Sequence, residues 1–100
     1  MSLPMRMLAE AREELDASIA WYEEQREGLG ERFLTRIDEI LLRIGASPEV
    51  HARIYGEVRK AVVQRFPYIV LYRVEPTEVV VLSVFHTSRN PAEWQRRADS

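Results

Sequence analysis

At Gly56 the apolar residues of this chain change their rhythm. Before it they recur at steps of three and four, and after it at every second position or in near-continuous runs. Periods near 3.6 and 2 are the signatures of helices and strands. A chain of 100 residues that keeps its helical half apart from its strand half points to one small α+β domain. With 46% of residues hydrophobic it has material for a core. A domain this small still buries a modest share of its surface, so a stabilising partner fits it well.

In the helical half, Leu8, Ala11, Leu15, Ile19 and Tyr22 form one stripe and predict a helix over 10–27. Glu13, Glu14, Asp16, Glu23 and Glu24 fall largely off that stripe. Gly28 suits the C-terminal stop, because glycine accepts the left-handed conformation. Phe33, Leu34, Ile37, Ile40, Leu41 and Ile44 predict a second helix from Leu29 or Gly30 to Ile44, ended by Gly45 and Ser47-Pro48. The short joint makes the two an antiparallel hairpin. Trp21-Tyr22 read as packing within it.

Residues 46–56 read as a loop. Val58–Arg65, Tyr68–Glu75 and Val79–His86 read as strands, with Pro76-Thr77 as a turn. Their short connections imply an antiparallel meander. Met5–Leu8 adds an N-terminal edge strand behind Pro4. Pro91–Arg97 adds a short C-terminal helix with proline in its first turn. The expected architecture is a helical hairpin on one face of a small antiparallel sheet. One layer of helices leaves the opposite face open, and Trp94 reads as a cap on the open end of the core.

Charge is divided as the structure is. Residues 1–50 carry 11 acidic and 6 basic side chains, and residues 51–100 carry 5 and 8. The basic charge of the strand half is arginine, Lys60 excepted, which suits planar recognition of phosphate or carboxylate. A net charge of −2 argues against generic nucleic-acid binding. No cysteine is present, which removes disulfides, thiolate metal sites and a cysteine nucleophile and fits a reducing cytoplasm. No run is long and apolar enough to span a bilayer, and no signal-peptide pattern opens the chain. A soluble, cytoplasmic protein without membrane contact is expected.

Polar residues gather where the strands end: Arg59, Arg65, Tyr68, Arg73, His86, Arg89 and, past Pro91, Trp94. Strict alternation puts Arg59, Ala61, Val63 and Arg65 on one face, and Val80, Leu82, Val84 and His86 on one face of the last strand. Tyr68 and Tyr72 share a face. The plain reading makes His86 a hydrogen-bonded strand end, and pairs Arg59 and Arg65 with Glu57, Glu75 or Glu78 across strands. The chemical reading is RNA cleavage, in which the ribose 2′-hydroxyl attacks and the protein supplies proton transfer and phosphate charge. Glycine-rich phosphate loops, a metal site at His51 and His86, and a Ser-His-Asp triad find no support. No cofactor and no metal is expected.

These residues give the chain a resemblance to the RelE/ParE superfamily, the plasmid-stabilisation type of toxin in type II toxin–antitoxin systems. It covers nearly the whole chain. Glu14-Leu15, Trp21-Tyr22 and Gly28-Leu29-Gly30-Glu31-Arg32-Phe33 resemble the family's helical hairpin. Arg59, Arg65-Phe66-Pro67-Tyr68 and Tyr72-Arg73 resemble its central strands, and Val81–Val84, His86, Arg89, Pro91 and Trp94 its closing strand and tail.

The resemblance implies growth inhibition, a cognate antitoxin as partner, and room for a higher-order toxin–antitoxin complex. Arg59, Arg65, Tyr68, Arg73 and Trp94 would bind the partner. The target stays open between DNA gyrase, as for ParE-like members, and messenger RNA in the ribosome, as for RelE-like nucleases. In a nuclease His86 would be the acid or base and Arg59, Arg65 and Arg89 would bind phosphate. The chain departs from the nuclease pattern in its acidity, its lack of a lysine cluster and the Trp94 that stands where a C-terminal tyrosine would. The long hairpin resembles the ParE-like side. A folded but harmless binding module is the third reading.

Overall fold

Phe33, Ile37, Ile40 and Ile44 are all buried along one face of a helix, at steps of four, three and four. Full burial of side chains like these contributes about 1.5–3 kcal/mol each. In the computed structural model, which describes residues 3–100, this helix is α2 (Leu29–Ala46). It pairs with α1 (Ala9–Gln25), whose Ala11 and Leu15 are buried and whose Ile19 and Tyr22 are half-buried against the same core.

The joint is built by a side chain from α1. Glu23 accepts the amides of Gly28 (2.9 Å) and Gly30 (3.0 Å), two of the donors a helix N-terminus leaves without partners. Gly28 is left-handed at φ 86°. Gly30 lies where a Cβ would come within 2.7 Å of the Ile19 carbonyl oxygen, so the helices cross closely there.

Five strands form one sheet in the order β1-β5-β4-β3-β2. They are β1 (Met5–Met7), β2 (Arg53–Tyr55), β3 (Val58–Val62), β4 (Tyr68–Val74) and β5 (Val79–His86), followed by α3 (Ala92–Asp99). β2 to β5 run as an antiparallel meander, and β1 lies parallel beside β5. The architecture is therefore the α+β arrangement expected, with β2 added inside the segment read as a loop. Val58–Arg65 is shorter than expected: the strand ends at Val62, and Arg65 turns with a left-handed φ of 69°.

Two further expectations fail. β5 carries a bulge opposite Leu71–Tyr72, where Leu71 pairs with Ser83 and Tyr72 with Val81. An extra residue in one strand reverses its alternation. Val80 and Leu82 therefore pack on one side of the sheet, while Val84 packs on the other and His86 pairs with Tyr68. The side away from the hairpin is also not open. There α3 lays Trp94, 4% exposed, over Val58, Leu71, Val80, Leu82 and Phe85. Trp94 does cap apolar residues, but it caps this second cluster. Trp21 differs as well, being 56% exposed and touching Tyr22 edge-on.

Candidate functional site

β1 ends at Met7, opposite Val81, so the remainder of β5 has no strand on that side. Side chains fill the gap. Glu14 from α1 accepts the Val84 amide (3.2 Å) and the Ser83 hydroxyl (2.9 Å). Arg97 from α3 donates to the Leu82 carbonyl (3.0 Å) and to both Glu14 oxygens (2.9 and 3.0 Å). Arg89 approaches the same carboxylate at 3.8 Å and pairs with Glu93. In the sequence Glu14 falls off the apolar stripe of its helix and nothing local marks Arg97, because the two residues meet from about eighty residues apart along the chain.

Beyond this closure, His86 lies in a surface groove of about 560 Å³ with Trp21, Tyr22, Pro67, Tyr68 and Arg89. The imidazole stands edge-on to Tyr68, with ring centres 5.1 Å apart. The Tyr68 hydroxyl donates to Ser18 (2.9 Å). His86 Nδ1 accepts the Ser88 amide at 3.1 Å and lies 2.8 Å from the Ser88 hydroxyl. The neutral ring therefore carries its proton on Nε2.

Arg59 lies elsewhere. It is the cross-strand partner of Tyr72, and its Nη1 donates to the carbonyls of Glu49 (3.1 Å) and His51 (2.7 Å). The Tyr72 hydroxyl donates to the Pro48 carbonyl (2.6 Å) and meets His51 Nδ1 at 3.1 Å. Together they hold the segment that leads from α2 to β2. Burial, reinforced by Arg43 and Arg59, pushes the His51 pKa below its ordinary value. Burial pushes the Tyr72 hydroxyl up.

Arg65 sits in the turn between β3 and β4, on a hollow of about 590 Å³ with Leu29, Arg32, Arg36 and Phe66. Arg73 is half-buried beside Glu75 (3.6 Å), Arg53 pairs with Glu57, and Arg6 with Glu78. The acids expected to pair with Arg59 and Arg65 thus pair with other arginines.

His86 and Arg89 share a groove; Arg59 and Arg65 do not join them. Arg59 stands opposite Tyr72 and His86 opposite Tyr68, four residues apart along β4. That is a separation of about 13 Å along the strand alone. The Arg59 guanidinium is held at the Glu49 and His51 carbonyls, away from the His86 groove. Among the described residues no group of three or more His, Asp or Glu side chains is placed to hold a metal ion. No described helix is long and apolar enough to cross a membrane.

A helical hairpin on one side of a five-stranded sheet, with a short helix closing the other, is the architecture of the RelE/ParE class that the sequence resembles. The chain belongs to the ParE toxin family of the type II toxin–antitoxin system parDE, whose sequence model matches residues 6–91. Among solved structures it is similar to a chain of the chromosomal ParDE toxin–antitoxin system from P. aeruginosa. That likeness has a TM-score of 0.64 at 19% identity and covers 85% of this chain and 96% of the other. It is a likeness of fold. No curated protein matches this chain.

Proposed function

We propose that this toxin acts on DNA gyrase by binding it, without cutting RNA, and that a cognate antitoxin neutralises it. The observation that carries the reading is the state of His86. A general base needs a free ring nitrogen facing its substrate. Here Nδ1 is occupied by the Ser88 amide and hydroxyl, which leaves Nε2 as a donor. Placing a proton on Nδ1 as well would set it against the Ser88 amide, which can only donate.

The arginines support the same reading, since Arg59 is engaged with backbone carbonyls and Arg89 with Glu93 and Glu14. Of the residues assigned to partner binding, Arg65 presents its charge to solvent and Tyr68 borders the groove. Arg59 holds backbone carbonyls and Trp94 packs in the second apolar cluster, while Arg73 lies half-buried beside Glu75.

The test is supercoiling by purified gyrase in the presence of the purified protein. Inhibition is expected, and His86→Gln should inhibit as strongly as the native chain. Messenger RNA cuts that appear on induction and vanish in His86→Gln would overturn the proposal.

A further inference from the structure

Leu29, Arg32 and Arg36 on α2 face Arg65 and Phe66 of the β3–β4 turn across the hollow of about 590 Å³. Three guanidinium groups line it and no acid does. Among the described residues Arg32 and Arg65 have no ion-pair partner. Arg36 gives one nitrogen, Nη1, to Glu39 at 3.0 Å. Cations of one sign around a concave surface attract an anion.

The backbone at Arg65 is held in place as well. The Val63 amide donates to the Tyr68 carbonyl (3.0 Å) and the Tyr68 amide to the Phe66 carbonyl (2.8 Å). Within that turn Arg65 takes a φ of 69°, a region that residues other than glycine seldom enter. Glycine would hold the turn with less strain, yet the chain places a guanidinium there.

Phe66 supplies the opposite chemistry. Its half-buried ring stands edge-on to Tyr22 and to Phe33, with ring centres 5.0 and 5.1 Å apart. The orientation of the ring is thus fixed, and with Leu29 it gives the hollow an apolar side next to the cations.

We propose that this hollow binds a free nucleotide, with its phosphates on Arg32, Arg36 and Arg65 and its base against Phe66 and Leu29. Guanidinium groups take phosphate oxygens in pairs. Any nucleobase has a π-face to lay on an aromatic ring. Arg32 and Arg36 are four residues apart, about 6 Å along the helix axis, so with Arg65 they offer charge to more than one phosphate group. Sites for ligands of this size measure about 300–1,000 Å³. A bare anion would leave the apolar side unused. The inference goes beyond the gyrase reading and does not depend on it.

The probe is ATP, titrated calorimetrically into the full chain, with inorganic triphosphate and adenosine as its two halves. ATP should bind more tightly than either. Arg65→Gly removes one guanidinium and relieves the left-handed backbone. It should weaken ATP binding about tenfold or more while the melting temperature holds or rises. Arg12→Gln, on an exposed α1 position, should leave the Kd unchanged. Phe66→Leu should weaken ATP and leave triphosphate as it was. Absence of ATP binding at millimolar concentration overturns the proposal. So does an ATP affinity that Arg65→Gly leaves intact, or that Arg12→Gln lowers equally. Triphosphate that binds as tightly as ATP reduces the hollow to an anion cluster and overturns the nucleotide. A 5′-phosphorylated oligonucleotide that binds more tightly than ATP assigns the hollow to a strand end and overturns a free nucleotide. None of these outcomes bears on gyrase inhibition, which is read separately.

Discussion

Arg97 on α3 grips both oxygens of Glu14 on α1, at 2.9 and 3.0 Å, across the uncovered edge of β5. With side chains 17% and 10% exposed, the pair is largely out of water. Its members also serve the Leu82 carbonyl and the Val84 amide, two groups that a neighbouring strand would otherwise satisfy. The contact thus joins two helices to the sheet and ends the sheet at once.

Removing one member strands the other. Glu14→Ala leaves a part-buried guanidinium, a buried serine hydroxyl and a strand amide without their acceptor. Breaking such a pair costs about 3 kcal/mol. Urea unfolding should show a loss of that order for Glu14→Ala and for Arg97→Ala. The double variant should be less unstable than the sum of the two. Additive losses in the double-mutant cycle would mean the pair is not coupled.

The glycines of the hairpin joint should separate by mechanism. Gly30→Ala places a methyl group 2.7 Å from the Ile19 carbonyl oxygen, and only movement of a whole helix relieves that contact. Overpacking of this kind costs about 1–3 kcal/mol. Gly28→Ala meets open space but must hold φ at 86°, at a cost of about 1–2 kcal/mol. Gly28→Asn should recover part of that loss, because asparagine tolerates the left-handed region, while Gly30→Asn should recover nothing. Thermal unfolding of the four variants measures both.

What could be read from the chain alone was whatever repeats locally. Phe33, Ile37, Ile40 and Ile44 announce their helix because one face is buried along its whole length. β5 announces itself because it is covered on both sides. β2 gives no such signal, since Arg53, Ile54 and Tyr55 are exposed or half-buried and it is held by pairing with β3. The bulge at Leu82–Ser83 is invisible to alternation, and it moved His86 to the other side of the sheet. The candidate site is less legible than the fold. Glu14, Arg97 and the arginines of the Arg65 hollow owe their meaning to contacts between distant segments, and no local period encodes those.

His51 should make stability depend on pH. Its pKa is lowered in the folded chain by burial and by Arg43 and Arg59, from an ordinary value of 6.5. The unfolded chain therefore binds the proton more readily. Stability should be full above pH 6.5, fall as the pH drops below it, and level off once the folded protein is protonated as well. His51→Gln should flatten that part of the profile. The check is the urea midpoint measured from pH 8 to pH 5, and an unchanged slope in the variant would assign the dependence to other groups.

Trp94 carries the last prediction, because α3 is too short to persist unaided. Its indole fills the second apolar cluster and stands edge-on to Tyr55, whose hydroxyl donates to both Asp99 oxygens at 2.9 and 3.0 Å. Tyr55 and Asp99 thus tie β2 to the end of the helix that Trp94 anchors. Trp94→Ala removes the anchor and should cost about 3–5 kcal/mol. It should also release α3 and bare Leu71, Val80, Leu82 and Phe85, so that the variant binds a hydrophobic dye under conditions where the native chain does not. Tyr55→Phe keeps the aromatic contact and loses only the tie to Asp99, so it should unfold close to the native chain and bind no dye. Equal dye binding by both variants would show that the hydroxyl tie holds α3 as much as the indole does. The separation matters for function, since a sheet bared by the loss of α3 would offer partners an apolar surface that the native chain keeps covered.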